Sequence, residues 1–258
     1  MSKTFTPNPL VCTPNSLKRI QSLQRSIFIR SVQSGTVLIK FILQRFKACA
    51  QNYITVFCNM ESKPFLLSSK APEFQLPEPL TGKVWKLDDF QGHPALLVMF
   101  ICNHCPFVVH LKKDIVKLAN DYMSRRDNLD TVQKGLAVVA ISSNSTVTHP
   151  EDGPDFMAEE AKKFGYQFPY LYDETQEVAR AFGAVCTPEF FLFKKDGNQQ
   201  FELAYHGRFD ESRPRNDKPV TGSDIRQAID CVLNGQPVNS AQKPSVGCSI
   251  KWHPSQNV

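Results

Sequence analysis

The chain has 258 residues, a formal net charge of +5, 41% hydrophobic and 21% charged residues, a length suited to one domain or at most two. Its charge is uneven: residues 1–60 hold eight basic side chains (Lys3, Lys18, Arg19, Arg25, Arg30, Lys40, Arg45, Lys47) and no Asp or Glu. Without those eight, the 30 basic side chains fall to 22 against 25 acidic ones, a balance of −3, which leaves no basic footprint for nucleic acid.

Residues 1–60, acid-free and rich in Ser, Thr and Arg, have the composition of an organelle transit peptide, with a disordered basic tail as the plain alternative. The Ser- and Thr-rich opening favours the chloroplast, with the mitochondrion second. Gly35 to Phe57 is interrupted by Lys40, Arg45 and Lys47, short of the ~20 apolar residues a membrane span needs, so no membrane insertion is expected. Met60 opens Met-Glu-Ser-Lys and offers an internal start that would give a cytosolic form. Of eight cysteines, Cys12, Cys49 and Cys58 lie in this leader, and five remain: Cys102, Cys105, Cys186, Cys231 and Cys248. An odd, unevenly spaced set argues against a secreted disulfide framework and suits a reducing compartment with a catalytic pair.

The domain proper is expected over 61–235. Ala71–Leu76 and Val84–Leu87 read as short strands around a Thr81-Gly82 turn. Leu96–Ile101 is a buried strand that stops at Cys102. Pro106 opens a helix to about Met123, with Val108, Leu111, Ile115 and Leu118 on one face. Leu136–Ile141 is a second continuous apolar strand, as parallel strands are. Ser142–Gly153 reads as a loop, and Pro154–Phe164 as a helix stopped by Gly165. Phe168–Tyr172 is strand-like, and Thr175–Phe182 a short helix ended by Gly183. Phe190–Lys194, the Asp196-Gly197 turn and Phe201–Tyr205 make a hairpin. Gly207–Pro219 is a long loop of alternating charge, read as a solvated connector. Thr221-Gly222-Ser223-Asp224 offers a capping box for a last helix, with Ile225, Ile229 and Val232 inward and Gly235 as its stop. A tail, 236–258, packs on or near the domain and shows no periodic pattern. Strands alternating with helices, then a hairpin and a helix, is an α/β layout.

The chemistry concentrates at Cys102-Asn103-His104-Cys105-Pro106, where a buried strand hands over to a helix. Helix N-terminal N–H groups and the dipole stabilise an anion, and a thiol there ionises more readily. Each unit of pKa lowering favours the reactive thiolate by about 1.4 kcal/mol. Cys102, at the junction, is expected to be the exposed nucleophile, and Cys105, a turn inside, to close a disulfide with it. The same C-x2-C could be half of a zinc site, with His104 or His110 adding a ligand. Structural zinc normally takes four ligands and no second C-x2-C exists, so no metal and no cofactor are expected.

With Val185-Cys186-Thr187-Pro188 preceding the strand at Phe190, the Cys102–Pro106 motif resembles the thioredoxin superfamily. Ala71-Pro-Glu-Phe74 and the long βαβ body are similar to its alkyl hydroperoxide reductase / thiol-specific antioxidant, or peroxiredoxin-like redoxin, branch. The stretch Phe168–Gln176 and the ending Pro244–Trp252 resemble an uncharacterised peroxiredoxin-like group of bacteria and plastid-bearing organisms. The likeness spans roughly Ser69 to Trp252. It implies a thioredoxin fold (three-layer α/β/α around a central mixed sheet) with an N-terminal strand extension. It also implies that Thr187-Pro188 forms a cis-proline loop that faces the cysteine pair and presents a partner's main chain.

Departures from the branch bear on the activity. Its peroxidases carry Pro-x3-Thr-x2-Cys and a distant Arg; aligned on Cys105, this chain has Val98 for the Pro, Cys102 for the Thr and Pro188 at the Arg position. One lost polarising donor is worth about 3 kcal/mol of transition-state stabilisation. Dithiol–disulfide exchange with an antioxidant role is therefore the first reading. A thiol-dependent peroxidase is the rival, and a non-catalytic redox sensor or zinc-holding interaction protein is a rival of another class. Expected partners are protein or low-molecular-weight disulfides and thiols, hydroperoxides under the rival reading, and a thioredoxin- or glutathione-type reductant. Leu96 stands where thioredoxin has its buried Asp, so Glu189 or water is the candidate to take the proton from Cys105, a solvated Glu189 being the plain alternative. His104, placed as in protein disulfide isomerases, is the tuning candidate and makes the pair less reducing than thioredoxin; His110 reads as surface. Cys186 and Cys248 are candidate additional redox thiols, the first against a role as small buried hydrophobe, the second on a flexible tail; Cys231 reads as core packing.

Overall fold

The computed structural model describes residues 60–62, 67–126 and 132–254. The transit-peptide segment lies outside them, apart from Met60. No helix among the described residues is long and apolar enough to cross a membrane.

Two wholly buried strands form the centre, β4 (Ala95–Phe100) and β7 (Leu136–Ser142). They pair in parallel from Ala95↔Leu136 to Phe100↔Ile141. The continuous apolar runs are explained by layers on both faces. Leu97, Met99, Val138 and Ala140 meet one helical layer, while Leu96, Val98, Val139 and Ile141 meet the other side. The sheet is completed by β8 (Tyr170–Tyr172), parallel to β7, and by β10 (Glu189–Lys195) and β11 (Phe201–Gly207), each antiparallel to its neighbour. Its order is β11-β10-β4-β7-β8, the mixed sheet of a thioredoxin-like α/β fold. Before it come β1 (Met60–Glu61) and the hairpin of β2 (Gln75–Pro77) and β3 (Val84–Lys86), and ahead of β7 the short antiparallel pair β5 (Ser124–Arg126) and β6 (Val132–Lys134).

Helix α1 (Pro106–Met123) begins at the proline and turns Val108, Leu111, Ile115 and Leu118 into the core. Each such buried side chain contributes about 1.5–3 kcal/mol. Helix α2 (Pro154–Phe164) ends on Gly165 at φ 66°, the left-handed cap that glycine adopts without a Cβ clash. Helix α3 (Glu177–Ala181) is shorter than its periodicity predicts, and α4 (Ser223–Leu233) buries Ile225, Ala228 and Ile229.

Three local expectations are corrected. The first turn of α4 has no capping box: Gly222, at φ 66°, occupies the cap without a side-chain bond. Asp210 instead accepts the N–H groups of Thr221 and Gly222, each at 2.7 Å. That contact also pins the Gly207–Pro219 loop, which is exposed at Glu211 and from Pro214 to Pro219 as a solvated connector is, but buries Asp210 and Ser212. The third correction is the tail. It contains a strand, β12 (Val246–Ser249), held between β1 and β9 (Cys186–Thr187) in a second sheet.

Candidate active site

β4 ends at Phe100, and five residues carry the chain to Pro106 at the start of α1. The first helical carbonyl acceptor is Cys105, which takes the Val109 N–H at 2.9 Å. Cys105 is therefore the N-cap, the position whose side chain meets the unpaired N–H groups of the first turn. The Cys102 and Cys248 thiols and the Val108 N–H beside its sulfur favour the ionised form. Burial opposes ionisation of Cys105, but these donors outweigh it and hold its pKa below that of an ordinary thiol. Cys102 goes the other way: burial, the Cys105 sulfur and the Asp152 charge push it up. One expectation is thereby overturned: Cys102 is 1% exposed, not open to solvent. The helix begins one residue after Cys105, so its first-turn N–H groups favour charge on Cys105 over Cys102.

The cover over Cys102 comes from far along the chain. Asp152, 48 residues beyond His104, accepts the His104 N–H at 3.2 Å and the Asn103 N–H at 2.8 Å through one oxygen. Its other oxygen takes His104 Nδ1 at 2.5 Å and Asn144 Nδ2 at 2.8 Å. Burial works against the His104 imidazolium, yet the bond to Asp152 and its charge raise the pKa above the usual histidine value. Burial likewise opposes the Asp152 carboxylate, and its bonds to His104 and Asn144 lower its pKa all the same. His104 Nδ1 lies 4.0 Å from Cys102 Sγ, and the ring stacks on His149 with centroids 4.8 Å apart. Tyr170 donates to Asn103 Oδ1 at 3.1 Å. Cys102, His104 and Asp152 offer ligand atoms within 4.8 Å of one another, types that zinc accepts. Both Asp152 oxygens are already engaged by the N–H donors above.

The Thr187–Pro188 peptide is cis and faces the sulfurs. Thr187 Oγ1 is 3.4 Å from Cys102 Sγ, and the Cys105 thiol is placed to donate to the Thr187 carbonyl at 3.1 Å. The main chain of Thr187, expected to be open to a partner, is paired in register with Cys248 of β12. Unpaired strand edges invite pairing, and here this chain supplies it. Cys248 is thus buried in a strand beside the cysteine pair, not carried on a flexible tail.

Glu189 is fully buried rather than solvated. One oxygen accepts the Val185 and Cys186 N–H groups at 2.8 and 3.0 Å, and the other lies 2.8 Å from His206 Nε2. These bonds anchor the loop before Pro188. Cys186 donates to the same carboxylate at 3.6 Å, and burial with that negative charge pushes its thiol up, the reverse of what an attacking thiol needs. His110 meets Ser212 at 2.8 Å, away from the sulfurs, and Cys231 is half-exposed rather than core.

Sequence reasoning missed Asp152, Asn144 and Tyr170, and with them Lys112, whose ammonium is buried in a pair with Glu160. No local pattern marks the first three, but Lys112 lies four residues after Val108 and three before Ile115, on the apolar face of α1.

The AhpC/TSA family model matches residues 67–201. The chain is similar to an uncharacterized conserved protein of Geobacillus kaustophilus, at 49% identity over 76% of this chain and 97% of that one, with a TM-score of 0.69. It is also similar to a hypothetical protein of Sinorhizobium meliloti 1021, at 45% identity over 75% of this chain and 98% of that one, with a TM-score of 0.68. No curated protein matches.

Proposed function

Since the chain belongs to the AhpC/TSA family, we propose that it is a thiol–disulfide oxidoreductase with an antioxidant role, working through Cys102 and Cys105. The observation that carries this is the pair itself: two sulfurs at a helix N-terminus, each within hydrogen-bond reach of Thr187. One proton serves both. On Cys102 it points to the Cys105 sulfur; moved to Cys105 it points to the Thr187 carbonyl and leaves Cys102 anionic beside His104. The Cys102 thiolate then attacks a client disulfide, and the client sulfur that leaves takes up the Cys105 proton. Cys105, now a thiolate, attacks Cys102 of the mixed disulfide, and the second client sulfur leaves as a thiolate. The protein ends oxidised and the client reduced by two electrons, and a thioredoxin- or glutathione-type thiol returns the protein to its dithiol form. Cys105 thus serves as the base for Cys102 and the leaving client sulfur takes the Cys105 proton, which leaves Glu189 to the anchoring role its bonds describe. His104 tunes the pair as a cation next to Cys102.

The test is reduction of insulin or a small aromatic disulfide by the purified protein with a thiol reductant. Turnover should fall at least about a hundredfold in Cys105→Ser, with mixed disulfides on Cys102 accumulating. Equal turnover in that variant overturns the reading. A thiol-dependent peroxidase is the second reading, favoured by the lowered pKa of Cys105, the residue that aligns with the peroxidatic position. Hydroperoxide consumption that requires Cys105 and survives Cys102→Ser would replace the first reading by this one. Zinc retained stoichiometrically by the reduced protein would replace both with a metal-holding role at Cys102, His104 and Asp152. Import into the chloroplast is part of the proposal, read by the location of a fluorescent fusion to residues 1–60.

A further inference from the structure

Among the described residues one nucleophilic group near the pair is left without a role, the Cys248 thiol. Its position is built, not incidental. β12 aligns Cys248 opposite Thr187 and Ser249 opposite Cys186. Ile250 N–H donates to the Val185 carbonyl at 3.0 Å, and Lys251 N–H to Asn144 Oδ1 at 2.8 Å. Gly247 lets the strand come this close: a Cβ there would lie 2.1 Å from the Thr187 carbonyl oxygen. The result is a cysteine 2% exposed in the same buried cluster as Cys102 and Cys105. Thr187 is the shared neighbour: its carbonyl meets the Cys105 sulfur at 3.1 Å and its main chain pairs with Cys248, and both thiols bear on the ionisation of Cys105.

Resting on the disulfide-exchange reading, we propose that Cys248 is a second resolving thiol, which moves the disulfide from Cys102–Cys105 to Cys105–Cys248. The Cys248 sulfur attacks Cys105 Sγ, the Cys105–Cys248 bond forms and the Cys102–Cys105 bond breaks. Cys102 leaves with the electron pair and takes the proton that Cys248 gave up. No electrons enter or leave the protein, so no further oxidant is needed once a client disulfide has oxidised the pair. The exchange frees the nucleophile while the oxidising equivalent stays buried beside Thr187. Thiolate attack on disulfide sulfur is governed by reach and by the leaving thiol, and the cluster provides the reach.

The full chain, oxidised with excess glutathione disulfide, is quenched in acid, denatured, alkylated with a maleimide and digested. A cross-linked peptide joining Cys105 to Cys248, with Cys102 alkylated, is the expected result. In Cys248→Ser the alkylated Cys102 of the oxidised protein should fall at least about tenfold, because only the Cys102–Cys105 bridge can form. Cys248 recovered wholly alkylated, with Cys102 and Cys105 joined, overturns the proposal and leaves the exchange reading standing. Failure of Cys105 to join either cysteine overturns both.

Discussion

At the scale of single residues, the cation next to Cys102 depends on Asp152. A carboxylate that accepts from two backbone N–H groups, an amide and an imidazole is worth more ionised, and its partner is worth more protonated. Stability from His104, whose pKa is raised, is full below the ordinary histidine value of about 6.5 and is lost as pH rises through the raised one. Stability from Asp152, whose pKa is lowered, is full above the ordinary aspartate value of about 3.9 and is lost as pH falls through the lowered one. The pair therefore contributes fully between about pH 4 and 6.5. Asp152→Asn keeps an oxygen for the N–H groups but loses the charge. It should cost about 1.5–3 kcal/mol near pH 5.5, the worth of a charged hydrogen bond, and less at high pH. Thermal melts of both proteins across pH 3–9 measure this; a pH-independent difference would remove the ion pair from the account.

At the scale of elements, β12 is a short strand with a large effect. It closes the edge of β9, carries Cys248, and leads into Lys251 and His253, which bond to Asn144 and Gln176. Its approach depends on Gly247, where any side chain meets the Thr187 main chain. Crowding of this kind typically costs about 1–3 kcal/mol. Gly247→Ala should lower the free energy of unfolding by that amount, with a lower melting temperature, and move β12 away from β9, separating Cys248 from Cys105. Hydrogen exchange of the Ile250 amide, bonded to Val185 in the native protein, should quicken at least tenfold. An unchanged exchange rate would mean that the strand accommodates the methyl without parting from Thr187. By the same logic Glu189 belongs to the architecture of the loop, tying Val185 and Cys186 to His206 of β11.

At the scale of the whole molecule, the reduced pair is enclosed by elements from four parts of the chain: the 101–105 turn, Asp152, the Thr187 loop and β12. A chain ending at Lys243 lacks the last of these. Its Cys102 and Cys105 should react with a bulky aromatic disulfide at least about ten times faster than in the full chain, with a lower melting temperature. Equal rates would place the controlling cover elsewhere. What the amino-acid order determines alone is local: the buried runs at Leu96 and Leu136, the helix opened by Pro106, the stop at Gly165, and two thiols set a turn apart. These follow from periodicity, capping and covalent adjacency, which act over a few residues. Tertiary structure alone decided that both thiols are buried, that Asp152 orients His104, that Glu189 reaches His206, and that Cys248 shares a buried cluster with Cys105. Each of those depends on groups well apart in the chain, brought together by core packing and strand pairing, and no short window of sequence holds both partners.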